Sequence, residues 1–201
     1  MRVLLSGFEP FGGEHVNPTA ALISAVAQKP KEFFLGELRT LVLPVSFARC
    51  FDLLKNEIHD FDPDVVLCLG LAAGRSEFIE LERVAINKID CLIADNDGRK
   101  PVDEPALMGG ENAFFSTLPL KEMLAELDKA RVPARLSNSA GTYVCNYLMY
   151  RLLEASLRTR RRAGFVHVPF LPEQASAKNP PAPSMALDKL QLGLRALLSV
   201  L

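Results

Sequence analysis

The stretch Ser137-Asn138-Ser139-Ala140-Gly141-Thr142-Tyr143-Val144-Cys145-Asn146 sets a cysteine at the start of a long amphipathic helical pattern, and the rest of the chain is placed relative to it. Small and polar residues from Ser137 to Thr142 predict a tight turn, with Gly141 available for a positive φ. Leu148, Leu152, Leu153 and Ala155 then recur at helical spacing. A thiol in the first turn of such a helix meets amide N–H groups without intrahelical partners, and the positive end of the dipole favours the nucleophilic thiolate. A cysteine at a helix start is also an ordinary small core residue, so a nucleophile there needs a partner.

His167 is the candidate partner. It lies in Gly164-Phe165-Val166-His167-Val168-Pro169-Phe170, an apolar and β-branched run that reads as the strand following the Cys145 helix. A parallel strand reached through a helix ends at the sheet edge where that helix began, which brings His167 near Cys145. His15 in a polar loop and His59 at a helix end read as surface residues.

Outward from this pair, Arg2 to Ser6 reads as a buried strand, followed by the loop Gly7-Phe8-Glu9-Pro10-Phe11-Gly12-Gly13. Phe8 and Phe11 form either a small core under the loop or a flat aromatic site for a ring or amide plane. The loop lacks the Gly-Lys-Ser/Thr ending of a phosphate loop. Asn17-Pro18 supplies an N-cap and a first-turn proline for a helix to about Ala27. Leu38 to Leu43 and the fully apolar Val65 to Leu69 read as strands, with a helix from Phe47 to about Ile58 between them. The small-residue loop from Gly70 to Arg75 lies at a strand's C-terminal end, where open parallel sheets bind ligands.

Phe78 to Asn87 alternates like a strand or hairpin arm, and a carboxylate on it could orient an imidazole. Turn residues from Asp95 to Glu111 predict an irregular excursion over the surface. Pro119 opens a helix to about Ala130, Ala134 to Ser137 forms a strand, and Ser184 caps a last helix from Met185 to Leu198. This alternation predicts an α/β fold, a three-layer α/β/α sandwich on a central mixed, mostly parallel sheet, with residues 1–201 as one domain.

Composition narrows the function. With 49% hydrophobic residues in 201 and a formal net charge of -1, there is a sizeable core and no general basic field for nucleic acid or anionic membrane. The basic run from Arg158 to Arg162 reads as the solvated end of a helix. Four cysteines without a C-x-x-C pair or a histidine cluster argue against zinc and thioredoxin-like chemistry. No signal peptide or membrane span is expected, so the expected setting is cytoplasmic with reduced thiols.

Four segments carry a resemblance: Gly7 to Gly13, Glu-Arg-Val-Ala-Ile-Asn at 82–87, Ser137 to Asn146, and Gly-Phe-Val-His-Val-Pro-Phe-Leu-Pro-Glu-Gln at 164–174. In this order they closely resemble the pyroglutamyl peptidase I family of cysteine peptidases. The resemblance implies hydrolysis of the amide bond after an N-terminal pyroglutamyl residue, without metal or cofactor, on an α/β/α fold that is often a homotetramer. It assigns Cys145 as nucleophile, His167 as general base and acid, and Glu82 as the acid orienting His167. Phe8, Phe11, Tyr143 and Val144 would hold the flat lactam.

Three departures accompany it. One extra residue between Arg75 and Glu82 leaves Glu80 or Glu77 as alternatives to Glu82. Leu92 stands where the family usually has an arginine expected to help at the oxyanion, a loss worth on the order of a few kcal/mol unless another donor substitutes. Leu71 stands where many members have glutamine. These departures keep open a catalytically weak homologue that binds pyroglutamyl peptides, and an amidase for a different small acyl group.

Overall fold

Val65 to Leu71 carries no charged side chain, and such a strand is stable only with both of its faces covered. All seven of its residues are buried in the computed structural model, which describes residues 1–74 and 76–201. In chain order the elements are β1 (Arg2–Phe8), α1 (Pro18–Gln28), α2 (Pro30–Phe33), β2 (Glu37–Leu43), α3 (Cys50–Phe61), β3 (Val65–Leu71), β4 (Ile79–Glu82) and β5 (Val84–Ile86). There follow β6 (Ala113–Phe115), α4 (Leu120–Lys129), β7 (Ala134–Ser137), α5 (Val144–Ser156), β8 (Arg162–Val168), α6 (Pro172–Ser176) and α7 (Leu187–Leu198).

Six strands form one sheet in the order β2-β1-β3-β8-β4-β7. The pairs β1–β2, β1–β3, β3–β8 and β4–β7 are parallel, and β4 meets β8 antiparallel, so the sheet is mixed and mostly parallel. Its side chains divide with the two-residue period of a strand. Leu4, Val66 and Cys68 face a core built with Leu54 of α3 and Leu148 and Leu152 of α5. Val3, Leu5, Val65 and Leu67 face a second core built with Leu22 of α1, Met123 of α4 and Leu194 of α7. The result is the expected three-layer α/β/α sandwich.

Several local expectations hold. Asn17 caps α1 by accepting from the Thr19 amide at 3.0 Å, and Gly141 has φ 78°. Others change. Ser184 does not cap the last helix; α7 follows Ala186 without a side-chain cap, while Ser184 forms a β-bridge with Phe170. The hydrogen bond from the Met185 amide to the Phe170 carbonyl, at 2.9 Å, holds this segment extended beside the site loop. Nor is the basic run the end of a helix. Helix α5 stops at Ser156, Arg161 donates to the Pro63 carbonyl at 3.0 Å, and Arg162 opens β8.

The single alternating stretch from Phe78 to Asn87 divides at Arg83 into β4 in the main sheet and β5, which pairs antiparallel with β6. Arg83 makes the turn between them, its amide bonded to the Ser137 carbonyl at 2.8 Å and its carbonyl accepting from Ser116 at 2.9 Å.

Asn146, next to Cys145 and 1% exposed, fastens β5 and the following turn to α5. Its Oδ1 accepts from the Ile86 amide at 2.9 Å, and its Nδ2 donates to the carbonyls of Ile86 at 2.9 Å and Lys88 at 3.0 Å. Asn146→Leu keeps the volume and strands the Ile86 amide and the Lys88 carbonyl, while the Ile86 carbonyl keeps its bond from the Lys88 amide at 2.8 Å. It is expected to lower stability by about 3 kcal/mol and Tm by roughly 6–12 °C, measured by thermal and urea unfolding.

Candidate active site

Cys145 is the second residue of α5, and Tyr143 precedes the helix in extended conformation (φ -99°, ψ -164°) with no side-chain cap. The first backbone bond of the helix runs from the Tyr147 amide to the Tyr143 carbonyl at 3.1 Å, so the amides of residues 144 to 146 lie ahead of the intrahelical ladder. These are groups an anion can take.

Where the thiol sits is set by Gly70 near the end of β3. A β-carbon at Gly70 would lie 2.9 Å from Cys145 Sγ and 2.6 Å from the Phe165 ring, so only glycine lets the helix start approach the sheet this closely. Gly70 is also paired with His167 across the β3–β8 register. The helix and strand therefore bring Cys145 and His167 to the same glycine.

His167 is 2% exposed, and its Nδ1 lies 2.7 Å from Oε1 of Glu82, which is 0% exposed. With the carboxylate accepting, Nδ1 carries the proton. Phe165 packs on the imidazole with ring centroids 4.9 Å apart, which fixes its plane. The three acids offered by the sequence separate cleanly here. Glu82 meets His167, Glu80 pairs with Arg135, and Glu77 is exposed. One donor atom from each of Glu80, Glu82 and His167 lies within 4.8 Å of the others.

Of the expected lactam contacts, Phe8 is 2% exposed and packs 6.5 Å from Phe165 within the core. Phe11 is half-buried with its ring 5.9 Å from that of Tyr143, and Val144 is 1% exposed. Beside Phe11 a cleft of about 340 Å³ is lined by Leu71, Gly74, Ile93 and Phe170. Leu71 is buried, whereas Leu92 is 93% exposed and extends into water.

The turn from Asp90 to Arg99 binds these parts together. The Tyr143 hydroxyl donates to the Ala94 carbonyl at 2.9 Å, and Asn96 Nδ2 donates to the Pro10 carbonyl at 2.9 Å. Asp95 accepts from the amides of Phe47, Asp97 and Arg99 at 2.9, 3.0 and 2.8 Å. Arg49 grips Asp97 through two bonds, of 2.8 and 2.6 Å, and with Ser46 holds that carboxyl down at about 2. This latch is present at neutral pH and is lost only as pH falls toward that value. Asp95, Asn96 and Asn146 are sequence-quiet residues of the site. The sole signal for the first two was Asp-Asn-Asp-Gly, which announces a turn but not its partners.

An imidazole held by a buried carboxylate beside a helix-start thiol, on an α/β/α sheet edge, is the arrangement of a cysteine-dependent hydrolase. The comparisons specify it further. The pyroglutamyl peptidase family model matches residues 1–201, and the chain belongs to that family. A pyrrolidone-carboxylate peptidase of Fusobacterium nucleatum is 39% identical, over 100% of this chain and 92% of its own. That of Streptococcus pyogenes serotype M3 is 42% identical, over 98% of this chain and 90% of its own. The pyroglutamyl peptidase I crystal structure from Bacillus amyloliquefaciens superposes with TM-score 0.92 at 36% identity, covering 99% of this chain and 95% of that one. A mutant pyrrolidone carboxyl peptidase from Pyrococcus furiosus gives 0.91 at 39%, covering 100% and 97%. Among the described residues no helix is long and apolar enough to cross a membrane.

The four thiols differ in reach. Burial pushes Cys68 up to about 12, Cys91 up to about 11 and Cys50 higher still, while Cys145 is half-buried at the helix start. Iodoacetamide on the folded protein at pH 7.5 is expected to modify one cysteine, Cys145, and all four in denaturant; intact-mass and peptide mapping read the outcome.

Proposed function

We propose that this protein removes the N-terminal pyroglutamyl residue from peptides through a thioester, with Cys145 as nucleophile, His167 as general base and acid, and Glu82 as the residue orienting the imidazole. The observation that carries the reading is the buried 2.7 Å bond between Glu82 and His167, beside Gly70, the same glycine that the Cys145 thiol approaches. Membership of the pyroglutamyl peptidase family supports the choice of substrate.

In the cycle, His167 Nε2 takes the thiol proton, and the sulfur adds to the pyroglutamyl carbonyl carbon. The carbonyl oxygen becomes an oxyanion facing the Cys145 amide at the uncapped helix start. Collapse breaks the C–N bond, the imidazolium gives its proton to the departing nitrogen, and the shortened peptide leaves with a free α-amine. Water, deprotonated by His167, then hydrolyses the thioester to pyroglutamic acid and the free thiol. Glu82 keeps Nδ1 protonated throughout and balances the imidazolium charge.

Selection of the substrate follows from its charge. A pyroglutamyl end is a neutral lactam with no α-ammonium group, so an apolar slot formed by Phe8, Phe11, Tyr143 and Val144 accepts it and disfavours an ordinary charged N-terminus. The exposed Leu92 supplies no hydrogen-bond donor, and oxyanion stabilisation in this reading rests on the helix-start amides. That feature favours the second reading, a homologue that binds pyroglutamyl peptides and turns them over weakly.

The expected working form is a cytoplasmic homotetramer of single-domain subunits. Exposed apolar residues Val102 and Met108 on the excursion, with Phe115 of β6, support self-association. Light scattering at micromolar concentration is expected to give four times the 22.1 kDa chain mass; a single-chain mass would remove the tetramer from the proposal.

Release of a fluorescent amine from a pyroglutamyl amide under reducing conditions tests the activity. Cys145→Ser and His167→Ala are expected to abolish turnover with the fold retained by circular dichroism, and Glu82→Gln to lower kcat on the order of 10²–10⁴-fold. A fully active His167→Ala variant would overturn the assignment, and lactam binding without turnover by the wild type would favour the binding homologue.

A further inference from the structure

The cleft beside Phe11 is joined to the site by three links. Leu71 follows Gly70, the glycine that the Cys145 thiol approaches, and pairs with Val168, the residue after His167. Phe170 lies just beyond His167 on the same chain exit, and the bond from the Ala72 amide to the Val168 carbonyl, at 2.8 Å, keeps the ends of β3 and β8 together. Phe11 lines the cleft and also holds its ring 5.9 Å from that of Tyr143, so it borders both this hollow and the lactam slot.

The walls are apolar and well fastened. Leu71, Phe170 and Ala175 form a small buried cluster, with Phe11 and Ala182 packed against it. Lys178 lies over the Phe170 ring, with Nζ 5.3 Å from its centre, and is paired with Glu14, which also accepts from Gln174 at 2.9 Å. These bonds tie the segment after α6 to the loop after β1, so two parts of the chain far apart in sequence hold the hollow open. A volume of about 340 Å³ lies at the low end of the ~300–1,000 Å³ usual for small-ligand sites, enough for one large side chain and too small for a length of peptide.

The reaction indicates which side chain enters. In the proposed cycle His167 gives its proton to the departing nitrogen, so the residue that carries this nitrogen must begin within reach of the imidazole. The nearest apolar hollow built on the strand exit of His167 is the cleft of Leu71 and Phe170. We infer that it receives the side chain of the residue following pyroglutamyl, that it favours an aromatic or large aliphatic side chain there, and that Phe170 sets this preference. The inference rests on the proposed activity and names the second residue of its substrate.

Moving a benzyl group from water against Phe170 and Leu71 favours binding, and the open side of the cleft leaves part of that gain unrealised. The wild type is expected to cleave pyroglutamyl-phenylalanine amide with a kcat/KM about tenfold above that for pyroglutamyl-alanine amide, measured by appearance of the new α-amine. Phe170→Ala is expected to bring this ratio down to about two or less. A residue that merely supports the fold would lower both substrates alike and leave the ratio where it was.

A wild-type ratio of one or below, or a ratio unchanged in Phe170→Ala, overturns the inference. Should Phe170→Ala fail to fold, Ala182→Phe carries the test by filling the cleft from the segment after α6; the same fall in ratio is expected, and an unchanged ratio overturns. Turnover of the alanine amide separates this result from the activity itself. If neither amide is turned over, the proposed activity fails, and protection of Cys145 from iodoacetamide reads the cleft alone. The phenylalanine amide is then expected to protect at about tenfold lower concentration than the alanine amide, and equal protection or none overturns the assignment.

Discussion

The hydrogen bond between Glu82 and His167 depends on a reversal of direction in the sheet. Four strands run one way, and β4 with its parallel neighbour β7 runs the other. This reversal places the end of β4, rather than its beginning, against the body of β8. Glu82 thus reaches His167 from a position sealed under the fold, with neither residue more than 2% exposed. Sealing strengthens the interaction between carboxylate and imidazole and also makes an error in it costly, since a buried charge without its partner is strongly destabilising.

Around that bond, the mobile kind of structure is held by side-chain bonds to backbone. Glu9 accepts from the Val45 amide at 3.2 Å and from Asn96 at 2.8 Å, Asn96 returns to the Pro10 carbonyl, and Tyr143 closes on Ala94. The loop with Phe8 and Phe11, the strand exit at Val45, the turn at 94–97 and the residue preceding α5 are therefore one connected body. A substitution in the turn displaces an aromatic side chain that it never touches. The Asp97 latch extends that body to the beginning of α3.

Much of the fold was legible in the sequence because its strongest signals were long. The apolar Val65 to Leu71 strand and the helical spacing after Cys145 admit few readings, and the right-handed return from helix to strand then brings Cys145 and His167 together. Shorter signals were ambiguous for a physical reason. Glu80 and Glu82 share a face under a two-residue period, and no local pattern tells which one meets the histidine; Glu80 bonds instead to Arg135, 55 residues away. The division at Arg83 and the service of Ser184 as a bridge rather than a cap likewise depend on partners far away in sequence. Leu92 was legible as a departure, and only its position shows that the side chain points into solvent.

One consequence follows from the uncapped start of α5. Helix starts favour a serine, threonine, aspartate or asparagine just before the first turn, whose side chain accepts from the exposed amides, a contribution of about 0.5–2 kcal/mol. Tyr143 makes no such bond. The chain forgoes that stabilisation when it folds, and the oxygen of a bound acyl group can supply it later. In the proposed cycle the substrate is then the missing cap of the helix, with its grip growing as charge gathers on that oxygen. Stability withheld from the resting fold is thereby recovered along the reaction coordinate, where it accelerates chemistry instead of holding the empty protein together.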